Sequence, residues 1–106
     1  MELINKYQKE LKNACMKFSV DELYAFGSIL TDRFNADSDI DFVVSMSAKD
    51  PVEYAENYFD FKFELENIFK RKIDLLEQKA IKNKTFEQLI NRQKILVYAR
   101  SNQGLA

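Results

Sequence analysis

Apolar residues recur every three or four positions at the start of the chain, a spacing typical of an amphipathic helix with one buried face. We predict this helix over residues 3–18, with a buried stripe made of Leu3, Ile4, Tyr7, Leu11, Ala14, Cys15 and Phe18. Because Cys15 lies on that stripe, the pattern favours a core position for its thiol over a chemical role.

Four short runs of apolar and β-branched residues predict β-strands, over residues 23–26, 40–46, 72–76 and 94–98. The first run ends at Gly27 and Ser28, which predict a tight turn, and a short helix is expected over residues 28–33. Strands that alternate with helices predict an α/β or α+β fold, a small mixed sheet of about four strands covered by helices.

Two longer helices are predicted between the later strands. The first begins with Asp50 as N-cap, Pro51 in the first turn and Glu53 completing a capping box, and runs to about residue 71. The second contains the apolar residues Phe86, Leu89 and Ile90. We expect Thr85, with Gln88, to cap it.

Length and composition indicate one globular domain over residues 1–106, with a flexible tail at 101–106. Of the 106 residues, 46% are hydrophobic and 31% are charged, which excludes a disordered chain. No run is long and uncharged enough to span a bilayer, the first residues lack the apolar core of a signal peptide, and the chain has one cysteine. These features predict a cytoplasmic protein without a membrane partner.

The residue types that are missing exclude several kinds of chemistry. Without histidine, the chain cannot use Ser-His or Cys-His catalysis or a His-containing metal site, and one cysteine forms no internal disulfide. Charge is also uneven: residues 1–69 carry 14 acidic and 7 basic side chains, whereas residues 70–106 carry 3 and 9. Such a bipolar chain could offer a cationic face to phosphate or to an acidic partner, or simply have a solvated helix surface.

Two aspartates at the start of the second strand form the strongest chemical motif. Asp39 and Asp41 are two residues apart, so their side chains are expected on the same face, where the carboxylates repel. Divalent cations remove this repulsion, and hard oxygen ligands of this type suit Mg²⁺. The alternative is an exposed strand end with two solvated acids.

The Gly27-Ser28 turn supplies groups that bind phosphate. A glycine lets the backbone approach a ligand closely, a new helix N-terminus offers free N–H groups, and the Ser28 hydroxyl adds a donor. A third acid, Asp74, interrupts the third apolar strand. If that strand neighbours the second, three carboxylates could hold two metal ions about 3.5–4 Å apart and position a nucleoside triphosphate; otherwise Asp74 is an exposed residue of an edge strand.

These motifs together resemble the minimal nucleotidyltransferases of the polymerase β superfamily. The resemblance rests on Gly27-Ser28, the Asp39-Ile40-Asp41 strand and the later Asp74, and it covers nearly the whole chain. It implies that Gly27 and Ser28 contact phosphates, that the three acids bind two Mg²⁺ ions, and that Asp74 acts on the acceptor. Arg33 follows the turn and is assigned to the triphosphate, with a surface salt bridge as the alternative.

The resemblance also implies a function. Proteins of this family and size resemble the antitoxin half of pairs with HEPN toxins, and some transfer AMP from ATP to a tyrosine of the toxin. A contact-only antitoxin without catalysis and a transferase for an antibiotic hydroxyl are the alternatives. Direct binding of nucleic acid is not expected.

The long central helix carries a second apolar face. Its predicted core stripe includes Tyr54, Phe61 and Leu65, yet Phe59 and Phe63 lie about 140° away, at about 100° per residue. We predict that these two phenylalanines contact a partner protein or a second copy of the chain. The alternative is that the N-terminal helix or the tail folds over them.

Overall fold

The structure, a computed structural model, describes residues 1–100; the predicted flexible tail lies outside the described residues. Its helices and strands follow one another in the order α1 (Glu2–Lys6), α2 (Gln8–Lys17), β1 (Val20–Phe26), β2 (Ile40–Met46), α3 (Pro51–Phe69), β3 (Ile73–Glu77), α4 (Lys84–Gln93) and β4 (Ile95–Ala99). Single 3₁₀ turns at Gly27–Leu30 and Gln78–Ala80 follow β1 and β3.

The four strands form one mixed sheet in the order β3-β2-β1-β4. Strand β1 pairs antiparallel with β2 and with β4, whereas β2 and β3 run parallel. A parallel pair needs a long crossover, and α3 provides it. The predicted fold class, a mixed four-stranded sheet with helices, is therefore confirmed.

Helices α2 and α3 pack against one face of the sheet, where the main core lies. Phe42, Leu23, Phe61 and Leu65 are completely buried there. Because neighbouring strand residues point to opposite faces, the side chain of Asp41 lies on the other face from that of Phe42. The core thus fixes the strands and leaves the acidic residues of the second face accessible.

Two local predictions about the helices were wrong. The single N-terminal helix is divided at Tyr7, which has φ −110° and ψ 24°, so α1 and α2 are separate. Helix α4 begins earlier than expected, because the Asn83 side chain accepts a hydrogen bond from the Phe86 N–H at 2.9 Å. Asn83 rather than Thr85 is therefore the N-cap. By contrast, Asp50 does cap α3, accepting from the Glu53 N–H at 3.2 Å.

The second apolar face of α3 is exposed. Phe59 and Phe63 are 55% and 61% accessible, so neither the N-terminal helices nor any other part of residues 1–100 covers them. Within the same residues, no helix combines the length and the apolar character needed to cross a membrane.

Candidate active site

The turn after β1 brings the backbone sharply away from the sheet. Phe26 is extended, Gly27 has a φ of 79°, and the buried side chain of Ile29 anchors the following residues. The Ser28 carbonyl accepts hydrogen bonds from the Thr31 N–H and hydroxyl at 2.9 and 2.8 Å. The predicted helix over residues 28–33 is therefore a single 3₁₀ turn, too short to provide a helix N-terminus for phosphate.

Asp41 lies directly against this turn. It is the register partner of Phe26 on the neighbouring strand, one residue before Gly27. A Cβ atom on Gly27 would overlap the Asp41 carboxylate, since Oδ2 lies well inside van der Waals distance of that position. The absence of a side chain at Gly27 therefore allows the carboxylate to approach the backbone of the turn.

Asp74 stands beside Asp41 in the parallel pair of β2 and β3, where the two residues are register partners. Burial first, then the charges of Asp74 and Asp39, and finally a hydrogen bond with Asp74 raise the pKa of Asp41 from 3.8 to about 6. Like charges held close together disfavour the ionised form. The sheet therefore places at least two of the predicted acids in one electrostatic cluster.

Asp39 is at the margin of this cluster. It precedes the first residue of β2 and forms an ion pair with Lys72, Nζ to Oδ2 at 3.9 Å, with both side chains substantially exposed. In residues 1–100, no group of three or more His, Cys, Asp or Glu side chains is arranged to hold a metal ion. The structure brings Asp41 and Asp74 together and leaves Asp39 turned toward Lys72.

The donor set nevertheless suits Mg²⁺, which prefers carboxylate and water oxygens. Asp41 and Asp74 already supply neighbouring oxygens, and their mutual repulsion is what a divalent cation relieves. An exposed ion pair such as Asp39–Lys72 contributes only about 0–1 kcal/mol, so it does not prevent Asp39 from turning toward the other acids. The three residues therefore fit a magnesium site that is not preassembled.

A cleft of about 520 Å³ opens beside the turn. Its walls include all three predicted nucleotide-binding residues: Gly27, Ser28 and Arg33. The remaining lining residues, which the sequence analysis missed, are Leu30, Thr31, Gln93 and Ile95. Gln93 and Ile95 come from the α4–β4 junction, and β4 reaches the cleft only because it pairs with β1. No local motif signals such a contribution.

Arg71 was also missed, and it supports the segment that carries Asp39. Its guanidinium donates hydrogen bonds to the carbonyls of Asn35 and Ser38 at 3.0 and 2.8 Å, and it lies 4.6 Å from the centre of the Phe34 ring. One side chain just after the end of α3 therefore holds the loop that leads into β2. A lone arginine after a helix has no sequence signature for this role.

The sequence places this geometry in a known family. Residues 9–103 match the model of the polymerase beta nucleotidyltransferase family, and the chain belongs to that family. The expectation drawn from the Gly-Ser and Asp-Ile-Asp motifs is thereby confirmed at the level of the family. No curated protein is significantly similar to the chain in sequence.

Solved structures share the fold at low sequence identity. A protein described as a putative minimal nucleotidyltransferase superimposes with a TM-score of 0.73 at 17% identity, covering 89% of this chain and 92% of the other. A toxin–antitoxin structure with AMP-PNP gives a TM-score of 0.67 at 16% identity, with coverages of 87% and 73%. A complex of a tri-AMPylated HEPN toxin from Shewanella oneidensis with an MNT antitoxin gives a TM-score of 0.52 at 17% sequence identity. The match covers 87% of this chain and 72% of the other.

Proposed function

We propose that this protein is a Mg²⁺-dependent nucleotidyltransferase that transfers AMP from ATP to a tyrosine of a HEPN toxin and thereby acts as its antitoxin. The observation that carries the proposal is the adjacency of Asp41 and Asp74 in register, with Asp41 against the Gly27 turn. Gly27 both contacts Asp41 and lines the cleft of about 520 Å³, which supports a metal site next to a nucleotide-binding cleft, although none of the three acids lines the cleft itself. The arrangement is consistent with the family and with a cytoplasmic site of action, where ATP is available.

In the proposed reaction, the acceptor oxygen forms a bond to the α-phosphorus of ATP. The bond from that phosphorus to the bridging oxygen breaks, and pyrophosphate leaves. Asp74 orients the acceptor hydroxyl and accepts its proton. The products are an AMP ester of the acceptor and pyrophosphate, so all atoms are accounted for.

The remaining residues bind and neutralise the triphosphate. Ser28, together with the backbone of the turn, donates hydrogen bonds to the β- and γ-phosphates, and Arg33 neutralises part of their charge from the same cleft. Asp39, Asp41 and Asp74 would hold two Mg²⁺ ions. Bound Mg²⁺ supplies positive charge that offsets both the carboxylates and the developing charge on the phosphates.

The toxin–antitoxin role is supported by the relatives of similar fold. One of them is an MNT antitoxin in complex with a tri-AMPylated HEPN toxin, and another toxin–antitoxin structure contains AMP-PNP. The present domain is about as small as the minimal nucleotidyltransferase that it resembles, which leaves little additional structure to build a separate acceptor pocket. An acceptor on another protein therefore suits it better than a small molecule.

The direct test is incubation of the protein with labelled ATP, Mg²⁺ and the product of the neighbouring gene, the proposed HEPN partner, followed by mass spectrometry to locate the label. We expect AMP on a tyrosine of the HEPN protein and no transfer by the Asp39→Asn/Asp41→Asn variant. Wild-type protein that transfers no label under these conditions would contradict the proposal.

A contact-only antitoxin is the second candidate, because the exposed Phe59 and Phe63 offer a surface for binding without catalysis. The same double aspartate variant separates the two functions. Loss of toxin neutralisation with intact binding indicates chemistry, whereas unchanged neutralisation indicates inhibition by contact.

A further inference from the structure

The outer face of α3 presents a stripe of large apolar side chains. Val52, Phe59 and Phe63 are 66%, 55% and 61% exposed. At about 100° per residue they project within roughly 40° of one another around the helix axis. Contiguous exposed apolar surface of this kind marks an interaction site more often than a free surface.

The stripe continues into an apolar groove of about 640 Å³ between α3 and the end of β3. Phe59 belongs to both, and the ring of Tyr58 packs edge-on against it with centroids 5.1 Å apart. The other lining residues are Tyr54, Ala55, Leu75, Leu76, Glu77, Lys79 and Ala80. We call the stripe and this groove together the α3 surface.

Strand β3 is an edge of the sheet, and part of its outer side is already occupied. The Tyr58 hydroxyl donates a hydrogen bond to the Leu75 carbonyl and so occupies an acceptor of that edge. Side-chain packing is therefore the mode of contact that this surface favours. A helix whose apolar side chains enter the groove meets that requirement.

The charges around the α3 surface are mostly negative, and Lys79 is the basic residue among those that line the groove. Glu53, Glu56 and Asp60 are exposed on the flank of the stripe that lies away from the groove, and Lys62 is the only basic residue of the helix. Glu77 lines the groove and adds a further carboxylate beside the Tyr54 hydroxyl. Basic side chains of an occupant would complement these acids.

A second copy of the chain does not satisfy this charge pattern. In a two-fold symmetric dimer with antiparallel α3 helices, Glu56 and Asp60 of one copy would approach the acidic flank of the other. Like charges across an interface disfavour the pairing. The predominantly acidic surroundings therefore favour a different, basic surface as the occupant.

We propose that the α3 surface binds an amphipathic helix of a partner protein in which apolar side chains are flanked by lysine or arginine. Its apolar side chains fill the groove and cover Phe59 and Phe63, and its basic side chains pair with Glu56, Asp60 and Glu77. The inference rests on the proposed function only in taking the HEPN protein as this partner.

Binding of the purified HEPN protein, measured by isothermal titration calorimetry at several salt concentrations, tests the apolar part. We expect Phe59→Ser/Phe63→Ser to weaken binding by about tenfold or more, since buried aromatic anchors dominate interface energies. Met16→Ser is the matched control, because Met16 is 63% exposed on α2, outside the α3 surface. Its affinity should stay within about twofold of wild type.

The charged part has its own variants. Glu56→Lys/Asp60→Lys should weaken binding by about tenfold and flatten its salt dependence, and Glu77→Gln should also weaken it. Glu2→Lys/Glu10→Lys makes the same change in net charge on exposed residues of α1 and α2 and should leave the salt dependence intact. Unchanged affinity in the phenylalanine variant, or unchanged salt dependence after charge reversal on α3, would overturn the proposal.

Two further results separate this inference from the alternatives. Sedimentation of the wild-type protein alone should give a monomer; a dimer that Phe59→Ser/Phe63→Ser dissociates would show that a second copy is the occupant and would overturn the proposal. The Asp39→Asn/Asp41→Asn variant should bind with wild-type affinity. If no AMP is transferred but the α3 variants still lose binding, the proposed reaction fails and the docking surface stands.

Discussion

The Asp41 carboxylate occupies the space in which a side chain on Gly27 would begin. Two independent constraints thus act on one glycine: its φ of 79° lies in the left-handed region, and its missing Cβ gives room to an acid of the candidate site. The contact between Gly27 and Asp41 therefore belongs both to the turn of the fold and to the candidate site. A change at Gly27 should therefore affect both.

Gly27→Ala tests this relationship. We expect a loss of about 1–3 kcal/mol in the free energy of unfolding, because alanine is strained at this φ and displaces Asp41. Chemical denaturation measures the loss, and nucleotide transfer should fall with it. Ser28→Ala, one residue further along the turn, should remain within about 0.5 kcal/mol of wild type. Equal stability of Gly27→Ala and wild type would contradict the close approach of Asp41 to the turn.

Asp41→Asn should stabilise the metal-free protein at pH 7.5. The substitution removes a charge that burial and the neighbouring acids disfavour, and for a partly exposed group we expect a gain of about 1 kcal/mol. The measurement is unfolding in the presence of EDTA, with the exposed Asp32→Asn as a neutral control. Added Mg²⁺ should then raise the melting temperature of wild type and not that of Asp41→Asn. A destabilised variant would show that the acids do not repel one another.

Arg71→Ala should loosen the loop before β2. The substitution removes both hydrogen bonds to the carbonyls of Asn35 and Ser38, so amide exchange in residues 35–39 should become faster, with a stability loss of about 1–2 kcal/mol. Hydrogen exchange followed by NMR detects the change. Arg100→Ala, in a distant ion pair with Asp21, is the control and should leave exchange in the loop unchanged. Unaltered amide exchange in Arg71→Ala would show that the Arg71 hydrogen bonds do not hold the loop before β2 in place.

Cys15 should be chemically inert in the folded protein. Its side chain is fully buried, and burial raises the pKa of the thiol from 9.0 to about 12. The thiolate is the reactive form, so iodoacetamide at pH 8 should label the chain only after unfolding. Rapid labelling without denaturant would contradict the core position.

The raised pKa of the Cys15 thiol also predicts a loss of folding stability at alkaline pH. Between pH 9 and 12 the unfolded thiol has released its proton and the folded thiol retains it, so the free energy of unfolding falls by up to about 1.4 kcal/mol per pH unit. Below pH 9 both forms are protonated and this contribution does not change. Cys15→Ala should show a shallower decline than wild type between pH 9 and 10, before most tyrosines ionise, whereas parallel curves would contradict the shift.

Periodicity predicted β2 and the capped central helix α3 well. Residues 40–46 form β2 as expected, and Asp50 begins α3. The two errors arise where alternative local hydrogen bonds compete. They decide whether the helix breaks at Tyr7 and whether Asn83 or Thr85 caps α4. The sequence pattern permits either outcome at both positions.

The chain's residue order by itself determined the chemistry that is available. It places a glycine and serine after one strand, acids at the start of the next and another acid on a third, and it excludes histidine chemistry altogether. It also determined the second apolar face of α3, because helical spacing alone puts Phe59 and Phe63 opposite the core residues.

Only the tertiary structure decided which of these groups meet. The parallel register of β2 and β3 pairs Asp41 with Asp74, the β1–β4 pairing brings Ile95 to the cleft beside Gly27, and Arg71 reaches back across more than thirty residues to the loop before β2. Strand order and register are set by how the whole core packs, through contacts between residues distant in the chain. Local spacing does not specify those contacts, so the sequence could name candidate site residues but not their arrangement.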